Sequence, residues 1–124
     1  MIQRLGFLGV RTPSQAAFEA TVALYRDLLG AEALVEEPAA VWFRATDGSQ
    51  VHVYGPGEDD HAFFGAAPVV GIVVDDFDAT RSAMAAAGIA FIGEPQRAGD
   101  AAWNHDLGPD GNVYEIMGRV AGDA

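Results

Sequence analysis

The chain writes one strand twice. "DGSQVHVYG" at residues 47–55 and "DGNVYEIMG" at 110–118 both open on Asp-Gly, close on Gly and carry β-forming residues between, at a constant offset of 63 residues. An internal duplication constrains a fold more than any composition does, because two copies of one supersecondary unit must be accommodated together. Stacked, the copies place His52 opposite Glu115. The pairing raises a chemical question: what does one strand position need with an imidazole in one copy and a carboxylate in the other?

The repeat extends well beyond these strands. In the first half "LGFLGVRT" reads as a strand, and "SQAAFEATVALYRDLLG" as a helix with Phe18, Val22, Tyr25 and Leu29 at helical spacing. Ser14 is its expected N-cap and Gly30 its stop. Strands "AEALVEE", "AVWFRAT" and "SQVHVYG" follow, the last two joined by a turn at Asp47-Gly48. The second half keeps the order. "PVVGIVVDD" is a strand, "FDATRSAMAAAG" a helix, and "IAFIGE", "AAWNHDLG" and "NVYEIMG" are strands, with "PDG" turning the final hairpin. Each half therefore reads β-α-β-β-β, and the class is α+β. The stretch between them, "PGEDDHAFFGAAP", is rich in Gly, Pro and acid and reads as a linker.

A doubled βαβββ unit carrying "LYRDLLG" (24–30), "VVGIVVDDFDA" (69–79) and "GPDGNVYEI" (108–116) resembles the vicinal oxygen chelate superfamily. That superfamily holds glyoxalases, bleomycin-resistance-type binding proteins and extradiol dioxygenases. The resemblance spans about residues 5–118 and implies an incomplete barrel of two modules, with helices outside and a pocket inside the curved sheet. The expected organisation is one domain over 1–124, with module one at 1–57, a linker at 58–67 and module two at 68–120.

Side chains two apart on a strand share a face. Val51 and Val53 suit a helix-packed face, which leaves Gln50, His52 and Tyr54 opposite; Tyr114 and Ile116 leave Val113, Glu115 and Met117. Leu8 and Val10 pack, so Phe7, Gly9 and Arg11 turn the other way, and Val70, Ile72 and Val74 leave Val69, Gly71 and Val73. Trp42 shares a face with Arg44, and Trp103 with His105. The expected ligand-binding residues are thus Phe7, Trp42, Arg44, Tyr54, Trp103, His105 and Met117. His52 and Glu115 are the candidate catalytic pair, facing one cavity, where a carboxylate would orient an imidazole and raise its pKa for proton transfer.

Metal-dependent members of the superfamily ligate a divalent ion from four inward positions, which the resemblance carries onto Phe7, His52, Val69 and Glu115. Imidazole and carboxylate both suit a transition metal, whereas Phe7 and Val69 ligate nothing. No metal or other cofactor is therefore expected. Any ion would rest on His52 and Glu115, with His105 as the one available third ligand. His61 in the acidic linker reads as a solvated loop residue.

Composition narrows the partners. The net charge is −11, all seven basic residues are arginines, and there is no cysteine. Phosphate backbones and anionic membranes would repel such a chain, and neither lysine nor thiolate chemistry is available to it. The opening "MIQRLGFLGVRTPS" lacks the apolar core and cleavage site of a signal peptide, so a cytoplasmic location is expected. Phe63 and Phe64 in the linker point to a homodimer, with modules of two chains able to complete each barrel. Three functions fit: a metal-free binding protein with an aromatic pocket for a small organic ligand, a lyase, isomerase or dioxygenase working through His52 and Glu115, and a structural dimer with a vestigial pocket. The missing ligand positions favour the first.

Overall fold

The computed structural model describes residues 1–120. Its contacts gather into two compact units, one formed by Phe7–Val69 and the other by Met1–Gly6 together with the described residues from Val70 to Val120. Each unit holds the expected βαβββ order of elements.

In the first unit, strand β1 (Ile2–Arg11) contributes its second half. Helix α1 (Gln15–Ala23) follows, then β2 (Glu32–Glu37), β3 (Ala40–Arg44) and β4 (Gln50–Tyr54). The strands lie in the order β2-β3-β4-β1, with β1 parallel to β4 and the remaining pairs antiparallel. Ser14 caps α1, its hydroxyl accepting from the Ala17 N–H at 3.1 Å. Phe18 and Val22 on α1 bury against Val41, Phe43 and Val53, with Val10, Tyr25 and Val51 alongside. That packing confirms the helix-facing side of β3 and β4. Leu29 departs from expectation: it is 64% exposed. The helix widens into a π-turn over Leu24–Leu28, closed by Leu29 N–H donating to the Leu24 carbonyl at 3.0 Å. The extra residue in that turn carries Leu29 off the apolar stripe.

In the second unit, β5 (Val69–Val74) is followed by α2 (Phe77–Ala86), β6 (Ala90–Ala98), β7 (Ala101–Leu107) and β8 (Val113–Arg119). Their order is β5-β8-β7-β6, with β5 parallel to β8. Asp76 caps α2 by accepting from the Ala79 N–H at 3.0 Å. Phe77, Ala102 and Ile116 form the core, with Met84 and Phe91 packed on it. Strand β6 runs four residues beyond the predicted "IAFIGE", through a register shift between Ile92 and Gln96 that takes in Gly93 at φ 73°. Such a bulge, on a strand at the sheet's edge, accommodates Pro95, which has no N–H to contribute to a ladder.

The duplicated hairpin turns agree bond for bond. Gly48 donates to the Ala45 carbonyl at 3.0 Å and Gly111 to the Gly108 carbonyl at 2.9 Å. Asp47 Oδ1 accepts from Ser49 N–H and Asp110 Oδ1 from Asn112 N–H, each at 2.9 Å. Both glycines have positive φ, 87° and 83°, which a side chain would resist. No helix among the described residues is long and apolar enough to cross a membrane.

Candidate functional site

In the first unit, the face of β4 turned away from α1 carries a ladder of rings. Trp42 and His52 are direct cross-strand partners, and on its other side His52 is registered with Gly9. The missing side chain at Gly9 leaves room for the Phe7 ring: a Cβ there would come within 2.9 Å of Phe64 and 3.1 Å of Phe7. His52 is consequently held between two nearly parallel rings. Trp42 lies 4.3 Å away at 9° and Phe7 4.7 Å away at 12°. Both ring nitrogens are engaged. Nε2 pairs with Gln50 Oε1 at 2.8 Å and Nδ1 with the Tyr54 hydroxyl at 3.2 Å. With the amide oxygen as acceptor, the proton sits on Nε2 and Nδ1 accepts from Tyr54. Burial, with a smaller contribution from the charge of His61, lowers the His52 pKa to about 4. At neutral pH this side chain is an uncharged ring.

Tyr54 extends the ladder. It is 3% exposed, stacked on His61 at 3.9 Å and met edge-on by Phe64. His61 is therefore not the solvated loop residue expected. Its Nδ1 lies 2.8 Å from Glu58 Oε2, and its ring covers Tyr54. Phe64 is buried in this cluster while Phe63 is 40% exposed. Arg44 points its guanidinium to Glu32, 2.9 Å away across the β2–β3 pair.

In the second unit the equivalent ladder is polar. Residue 105 stands to 115 as 42 stands to 52, and His105 and Glu115 are again direct partners, with Gly71 registered on the far side of Glu115. His105 Nε2 lies 2.7 Å from Glu115 Oε2, both side chains largely buried. One rung along, Trp103 faces Met117 and donates its indole N–H to Gln96 Oε1 at 2.9 Å. The Met117 sulfur lies close to Gly6, where a Cβ would approach it to 2.7 Å. The duplication thus put a ring–ring contact in one unit and an imidazole–carboxylate contact at the matching positions of the other. Sequence alternation identified these faces and put His105 among the candidates; the direct cross-strand pairing of His105 with Glu115 comes from the register.

On the opposite, helix-packed face of β7, Asn104 is satisfied by Arg81, whose Nε donates to its amide oxygen at 2.9 Å. Asp106 is buried on that face as well. Burial pushes its carboxyl pKa up, the nearby Glu115 adding to the rise and His105 opposing it.

Two of the four positions expected to hold a metal ion carry side chains that cannot ligate one. Phe7 and Val69 offer no donor atom, and both His52 nitrogens already have side-chain partners. No group of three or more His, Cys, Asp or Glu side chains among the described residues is placed to hold an ion.

Residues 15–116 match the Glyoxalase/Bleomycin resistance protein/Dioxygenase superfamily, and the chain belongs to it. No curated protein sequence matches the chain significantly. Solved structures share the fold. A superfamily member from Vibrio splendidus is 18% identical with a TM-score of 0.66, over 95% of this chain and 99% of its own. Methylmalonyl-CoA epimerase from Streptomyces coelicolor, solved with 2-nitronate-propionyl-CoA, is 18% identical with a TM-score of 0.65, over 98% of this chain and 100% of its own. The Mn(II)-bound glyoxalase from Novosphingobium aromaticivorans is 23% identical with a TM-score of 0.66, over 99% of this chain but 41% of its own. At these identities the likeness concerns the fold; function has to be argued from the site.

Proposed function

We propose that this protein is a small-molecule-binding member of the superfamily that holds a planar organic ligand without a metal, using the ring-lined face of β3 and β4. The observation that carries the reading is the state of His52. A histidine meant to ligate or to shuttle protons needs a free nitrogen and a pKa near neutrality. Here both nitrogens are occupied and the pKa is about 4, so His52 serves as a ring between Trp42 and Phe7. The partly exposed Trp42 at the end of the stack offers flat apolar surface, and the partly exposed Gln50 beside it supplies a polar group to orient a ligand. The net charge of −11 favours a neutral or cationic ligand over an anionic one. In this reading the protein is cytoplasmic and a homodimer, the exposed Phe63 being one apolar residue that assembly would cover.

The test uses a Trp103→Phe protein, in which Trp42 is the sole tryptophan, titrated with a library of planar heteroaromatic compounds. Saturable quenching of Trp42, with binding of the same compound by calorimetry lost in Trp42→Ala, supports the reading. A library-wide absence of quenching, in protein shown to be folded, overturns it.

One observation favours a second reading. Glu115 is buried, with His105 2.7 Å away, an arrangement suited to a general base oriented by an imidazole. An enzyme of this kind, a lyase or isomerase, would lose turnover in Glu115→Gln and keep its ligand affinity.

A further inference from the structure

The helix-packed side of the second unit holds a depression of about 380 Å³. It lies between the C-terminal part of α2, the segment after it, β5 and β8. Ile72, Met84, Ile89, Tyr114 and Ile116 give it apolar walls, and Asp106 lines it from β7. The strand alternation that turns Glu115 and Met117 one way turns Tyr114 and Ile116 the other, so this depression is on the opposite face of β8 from the His105–Glu115 pair.

Asp106 is the unusual member. It is 4% exposed, yet no group among the described residues donates to its Oδ1. Its neighbours show what a satisfied polar residue looks like here: Asn104, two positions earlier on the same face, receives Arg81 and donates to the carbonyls of Ile92 and Gly93. Arg81 is thus committed to Asn104 and to the face of Phe91, 4.5 Å from the ring centroid. The rim carries a second carboxylate, Asp110, which accepts from Tyr114 and Asn112. Among the described residues, no cationic side chain lines the depression. A buried carboxylate oxygen without a donor is costly to a fold and calls for an account other than stability. An apolar cavity of this size with one acceptor at its wall is a small-ligand site in its general form.

We propose that this depression is a second ligand site, distinct from the ring ladder of the first unit, and that it takes a small amine: a compact apolar body against Ile72, Met84, Ile89 and Ile116, with its ammonium group donating to Asp106. Charge complementarity selects the amine, since both charged groups of the lining are carboxylates. An acid of the same shape would face uncompensated repulsion.

The methyl groups of the three methionines read the site directly. Met84 is in its wall, Met117 is on the opposite face of β8, and Met1 lies outside it. The full chain, labelled with ¹³C at the methionine methyls, is titrated with 2-phenylethylamine and, separately, with the isosteric 3-phenylpropionate. The expected result is a saturable shift of Met84 by the amine, little movement of Met117, and at least tenfold weaker binding of the acid. Asp106→Asn and Asp106→Leu should each weaken the amine at least tenfold, and Asp106→Leu, which removes the unsatisfied buried group, should melt no lower than the parent. Failure of Met84 to shift, equal affinity for the acid, or unchanged amine affinity in whichever Asp106 variant folds would overturn the proposal. A shift confined to Met117 or Met1 would do the same.

Discussion

Acidification should destabilise this protein through His52 in a way that one substitution removes. The folded-state pKa of about 4 lies below the ordinary value of 6.5, so between these pH values the unfolded chain binds a proton that the folded chain refuses. Stability therefore rises with pH across this window. The contribution is level above about pH 6.5, falls as the pH drops, and levels off again below about 4. At pH 5 the two values give a loss of about 2 kcal/mol relative to pH 7.5. For a chain of this size that is roughly 6–10 °C in melting temperature. His52→Phe keeps a ring between Trp42 and Phe7 and has no proton to take up. Its melting temperature at pH 7.5 should fall modestly, because the contacts with Gln50 and Tyr54 are lost at about 0.5–1.5 kcal/mol each. Between pH 7.5 and 5 it should then lose about 2 kcal/mol less than the parent. Comparing the two by thermal melts cancels every other titrating group. Parallel pH profiles in parent and variant would refute the buried neutral ring, and with it the assignment of His52 to stacking.

Further outcomes follow from the same geometry. Val53→Asp and Ile116→Asp place a charge in the two helix-packed cores and should unfold their units by circular dichroism, costing about 3–5 kcal/mol, whereas Glu115→Gln should leave a cooperative melt. Gly118→Ala should destabilise by several times the few tenths of a kcal/mol typical of a surface change, because its Cβ would stand 2.4 Å from the Val74 carbonyl oxygen of the parallel β5–β8 pair; a neutral melt would show that the strands separate freely. Chelator should leave the melting temperature unchanged, since a bound ion would stabilise the folded state by mass action. Sedimentation at micromolar concentration should give a dimer, and a monomer there would remove the homodimer from the account.

What the sequence revealed was whatever obeyed a period. The 63-residue offset, the paired Asp-Gly turns and the two-residue alternation placed all the strands and both helices, and gave the helix-packed faces of β4 and β8 correctly. Departures came where one extra residue breaks a period: the π-turn that releases Leu29 and the Gly93 bulge that lets β6 continue past Pro95. Partners were harder to read than faces. Alternation shows that His52 and Glu115 turn away from the helices, but cross-strand register decides what each touches, and register is a property of pairing. His52 meets Trp42 and Phe7, and Glu115 meets His105. Asp106 gave no signal at all, because a carboxylate in "WNHDLG" looks like any solvated acid until Oδ1 is found buried without a donor.

The ring-lined face of the first unit is proposed to bind an organic molecule without a metal. Native mass spectrometry of freshly purified protein tests it most directly, run on the parent and on Trp42→Ala, each before and after treatment with chelator. The expected result is an organic adduct on the parent that survives chelation and is absent from Trp42→Ala. A stoichiometric transition-metal ion on the parent, removed by chelator together with any adduct, would contradict it.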